Sequence, residues 1–102
     1  MQPMNVDFHD LVNSVADEFA TETGMPVNPG ARDILINRAL PYQSTVEAEL
    51  ASGKITLQFL RRSVRTVLEN AMQVAKDLNR TAVGEDTTEE SIKRYCPYLF
   101  WC

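Results

Sequence analysis

Cysteine and histidine are scarce in this chain. Its 102 residues include two cysteines, Cys96 and Cys102, and one histidine, His9. Both cysteines fall within the last seven residues, so a disulfide between them would close a small terminal loop and staple no core. Reduced thiols are the simpler expectation. Their C-x5-C spacing comes without a second pair of cysteines or histidines, so a zinc site would need His9 and a distant carboxylate, or ligands from another copy. A metal or redox site at Cys96 and Cys102 is therefore only an alternative to their packing as small apolar groups, and no cofactor is expected. His9 stands beside Asp7 and Asp10 with no serine or cysteine at a motif spacing, which reads as a surface histidine. The phosphate-binding, dinucleotide-binding, metalloprotease, nucleophile-elbow and calcium-loop motifs are all missing, so a non-enzymatic protein is expected. No run approaches eighteen apolar residues, which excludes an apolar spanning helix. The first ten residues carry no positive charge ahead of an apolar stretch, and a cytoplasmic protein without membrane association is expected.

What is present is ordinary in bulk and informative in pattern. Hydrophobic residues make up 44% and charged residues 24%, the composition of a globular domain. The length suits one core and is too short for two. Ten Lys and Arg stand against fourteen Asp and Glu, a net charge of −4, which works against non-specific attraction to nucleic acid or anionic lipid.

Periodicity predicts helices throughout. Phe8, Leu11, Val12, Val15, Ala16 and Phe19 recur at intervals of three and four, with Asn5 or Asp7 as cap and Gly24 and Pro26 as the stop. Asn28 and Pro29 read as the cap and first residue of a second helix, which Pro41 ends near Leu40. Ser44 to Glu47 has capping-box spacing for a short third helix that closes at Gly53. From a cap at Thr56 to about Arg80 the chain holds no Gly or Pro. Over that stretch Leu57, Leu60, Val64, Val67, Ala71, Val74 and Leu78 form a seam spaced by alternating threes and fours. Such a helix is roughly 36 Å long at about 1.5 Å per residue. Phe59, Leu68, Met72 and Ala75 widen its apolar face, which favours a central core helix over a seam shared with a second chain. Thr81-Ala82-Val83 reads as a very short strand, and Thr87 to Glu90 as a second capping box before a final short helix that Pro97 stops. Together these predict a single all-α domain, 1–102, of four or five helices around one long central helix, with an aromatic tail over about 94–102.

Two clusters are candidates for contact with a partner. Arg61, Arg62 and Arg65 lie in the first turns of the long helix, where the helix dipole disfavours cations. Salt bridges to the acidic first helix or to Glu47 and Glu49 would offset this, and contact with an acidic partner is the functional alternative. The tail holds four of the eight aromatic residues, among them Tyr98, Phe100 and Trp101. Exposed, these rings would form an interface; folded back, they would complete the core.

The order of short helix, long helix, loop with Arg80, Thr81 and Val83, and Thr-capped short helix over residues 56–95 resembles the histone fold. The resemblance implies a handshake dimer of crossed long helices. It also implies a DNA-facing end shaped by Arg80 and Thr81; the basic cluster Arg61, Arg62 and Arg65 would, by its own chemistry, add further phosphate contacts. Residue chemistry and resemblance lead to one expectation and one alternative. The expectation is a helical interaction module that forms a homodimer and uses Arg61, Arg62, Arg65, Tyr98, Phe100 and Trp101 on its partner. The alternative is a histone-like nucleic-acid-associated protein.

Overall fold

A computed structural model describes residues 5–95 and Trp101. The expected class is the one observed: five α-helices and one 3-10 turn, with no strand among the described residues. Helix α1 (Phe8–Thr23) starts at Asp7, whose side chain accepts from the Asp10 N–H, and ends at Gly24 in the left-handed conformation that glycine adopts without steric cost. Helix α2 (Pro29–Ala39) has proline at its first position, where no N–H is needed. Pro41 then tightens the chain into the 3-10 turn Leu40–Tyr42, and α3 (Gln43–Ser52) follows at once.

The break at Pro41 agrees with expectation, but the capping box at Ser44 is not used. The backbone through the turn is already close to helical, so α3 restarts at Gln43 and places Ser44 inside the helix. Gln43 is instead tied to the chain ahead of α1, its Nε2 donating to the Val6 carbonyl at 2.9 Å.

Helix α4 (Leu57–Asp77) is capped by Thr56, whose hydroxyl accepts from the Phe59 N–H at 3.0 Å. It stops three residues before the expected end. Asn79 takes a left-handed φ of 58°, the Asn79 N–H donates to Lys76 O, and the Arg80 N–H reaches back to Ala75 O at 2.8 Å. Those two bonds satisfy the last carbonyls of α4.

The expected strand at Thr81 to Val83 shrinks to one parallel bridge between Val83 and Val27. Val83 N donates to Pro26 O and Asn28 N to Val83 O, both at 2.9 Å. This bridge joins the loops ahead of α2 and α5 (Glu85–Arg94), so the two helices start side by side. It also moves the start of α5 forward to Gly84, so Thr87 lies inside the helix. Its hydroxyl reaches back to accept from the Gly84 N–H at 2.9 Å.

Leu60, Val64, Val67, Leu68, Ala71 and Ala75 of α4 are fully buried against α1, α5 and their neighbours. The middle of the seam therefore lies inside one chain, as expected for a central core helix. Its ends do not: Leu57 is 47% and Leu78 54% exposed. Across the α4–α5 contact the buried Ser91 hydroxyl donates to the Val67 carbonyl at 2.8 Å.

Trp101 requires a correction, because it was expected among the partner-contacting aromatics. It has no exposed surface, and its indole Nε1 donates to Leu35 O of α2 at 3.1 Å. Its large apolar area is withdrawn from water while its one polar group finds an acceptor, which makes the core the favourable place for it. Tyr98, Phe100, Cys96 and Cys102 lie outside the described residues.

Candidate interaction surface

The arginine cluster takes its place from two helices. Thr56 fixes the start of α4, so Arg61 and Arg65 fall one turn apart on the side that faces α1. Arg61 bonds Ser14 at 3.3 Å and Glu18 at 2.8 Å. Arg65 pairs with Glu22, holds Glu69 of its own helix at 3.0 Å, and lies 5.9 Å from the Phe19 ring centre. The pairing advances one turn on both helices, so α1 and α4 run in the same direction along this face. The hydrogen bond from Arg65, and then its charge, hold the Glu22 carboxyl below its ordinary value. The Arg65 guanidinium is raised in turn by Glu22 and then Glu69.

The dipole cost of these cations is thus offset inside the chain, by salt bridges to the first helix. Arg61 and Arg65 are engaged with their own acids and are not free contacts for an acidic partner. Arg62 differs: it is exposed and has no ion pair among the described residues.

Arg80 and Thr81 lie at the other end of α4. Arg80 pairs with Asp86 in the first turn of α5, and that hydrogen bond is the main reason the Asp86 carboxyl is held low. Thr81 is exposed beside it. His9 is exposed on α1 and lines a shallow depression with Asn13, Arg32, Asp33 and Ile36. Among the described residues no group of three or more His, Cys, Asp or Glu side chains is arranged to hold a metal.

The feature that sequence reasoning missed is a cleft of about 570 Å³ between α1 and the start of α4. Val6, Leu11 and Leu57 form its apolar lining, and Asp10, Ser14 and Arg61 are among its polar residues. Asp10 has no cation partner among the described residues. On the other side of Arg61 lies a smaller depression, about 230 Å³, that includes Val15, Gln58 and Arg62. The two hollows share Arg61, and each carries both signs: Asp10 with Arg61 in the first, Glu18 with Arg62 in the second. Leu57 was visible in the sequence only as the first residue of the seam. A period of three and four does not tell whether the end of a seam is covered, and only its 47% exposure marks it as surface.

Comparison of the chain with family models, with curated proteins and with solved structures finds no match.

Proposed function

We propose that this protein is a non-enzymatic helical interaction module that associates with itself. The observation that carries the reading is the half-exposed Leu57 at the head of a seam whose middle is buried, beside an open cleft that Leu11, Asp10 and Arg61 also line. Apolar contact of this kind supplies affinity, and the surrounding charges set orientation. The test is solution mass by light scattering across a concentration series of the reduced protein. A mass rising toward twice 11.5 kDa in the wild type, and staying at one chain for Leu57→Asp, supports it. A monomer at every concentration overturns it.

A second reading, nucleic-acid association by a histone-like shape, is favoured by one observation. The loop expected to be strand-like is paired, Val83 with Val27, and leaves Arg80 and Thr81 exposed at that end. Phosphate would have to displace Asp86 from Arg80. Binding to duplex DNA that weakens steeply with added salt supports this reading, and absence of binding at low salt removes it.

A further inference from the structure

Near the start of α4, exposed charges of opposite sign have no ion pair among the described residues. On the α1 side, Asp10 borders the cleft that Leu57 and Arg61 also line. Arg62 borders the smaller depression, which Glu18 of α1 also lines, and exposed Lys54 lies in the turn before the helix. Neither Lys54 nor Arg62 has an ion pair among the described residues. A purely acidic partner would meet Asp10, and a purely basic one would meet Arg62. A surface with both signs arranged about an apolar centre is complementary to a copy of itself turned through two-fold symmetry, in which each residue contacts the other's counterpart.

We infer that the face around Leu57 is the interface between two copies of this chain. Its two-fold axis lies near Leu57, and Asp10 of each copy meets Arg62 of the other. The inference rests on the self-association proposed above and adds which surface mediates it. The apolar area available is small and the total charge of each copy is −4, so the dimer is weak and concentration-dependent.

A charge exchange tests the pairing. Asp10 and Arg62 are both exposed, and far-UV circular dichroism checks that Asp10→Lys and Arg62→Glu each keep the fold. In sedimentation velocity each variant alone is expected to associate at least tenfold more weakly than the wild type, because both contacts of its homodimer become repulsive. An equimolar mixture of the two is expected to recover most of the wild-type association, because both contacts then join opposite charges. Folded variants that associate like the wild type, or a mixture that recovers nothing, overturn the Asp10–Arg62 interface and leave self-association through another face standing. A monomeric wild type overturns both.

Discussion

At the scale of single residues, the largest fully buried side chain lies near the end of the chain. Trp101 is fully buried and holds the Leu35 carbonyl, so Trp101→Ala should lower stability by about 3–5 kcal/mol. Trp101→Phe keeps most of the ring area, loses one hydrogen bond, and should cost less. Urea unfolding followed by circular dichroism measures both, and equal unfolding midpoints for wild type and Trp101→Ala would contradict the core placement. The surface pairs act on a smaller scale. Glu22 and Asp86 have folded-state pKa values below their ordinary ones. Their pairs therefore contribute fully above the ordinary carboxylate pKa, and the contribution is lost as pH falls through the lowered folded value. Carboxyl NMR titration of Arg65→Gln should return Glu22 toward its ordinary range and leave Asp86 in place. A Glu22 that titrates identically in both proteins would show that the pair does not form in solution.

At the scale of elements, local sequence was legible wherever local chemistry decides. Asp7 and Thr56 were readable as caps because a short polar side chain ahead of an apolar period satisfies helix N–H groups with no help from elsewhere. Removing the Thr56 hydroxyl, in Thr56→Ala, should cost about 1 kcal/mol, visible as a lower thermal midpoint with an unchanged folded spectrum. The capping boxes at Ser44 and Thr87 were misread, the first because the turn at Pro41 is already close to helical and the second for a tertiary reason. The bridge between Val27 and Val83 fixes where α5 begins, and Thr87 and Thr88 are fully buried inside that helix. A capping-box spacing does not reveal that a loop elsewhere has claimed the preceding residue. The end of α4 illustrates the same limit: Arg80 continues a helical stretch in sequence, yet Asn79 turns left-handed and closes the helix before it.

At the scale of the whole molecule, Trp101 belongs to the core. Deleting residues 98–102 removes Trp101 and should lower the unfolding midpoint markedly, as core loss does. A deletion that left the midpoint unchanged and abolished only association would return the tail to the partner surface. The all-α class, the break at Pro41 and the central position of α4 followed from the sequence alone, because apolar periodicity, proline geometry and capping act over a few residues. The same pattern made salt bridging from Arg61 and Arg65 to α1 foreseeable as one of two outcomes, without choosing between them. Only the tertiary structure decided that those two arginines meet Glu18 and Glu22 while Arg62 faces solvent, and that Trp101 lies against α2. It alone decided that Leu57, a seam residue like Leu60 by every local measure, stays half exposed beside a cleft. Periodicity specifies which side of a helix is apolar, but how far along that side the neighbouring helices extend is set by long-range packing.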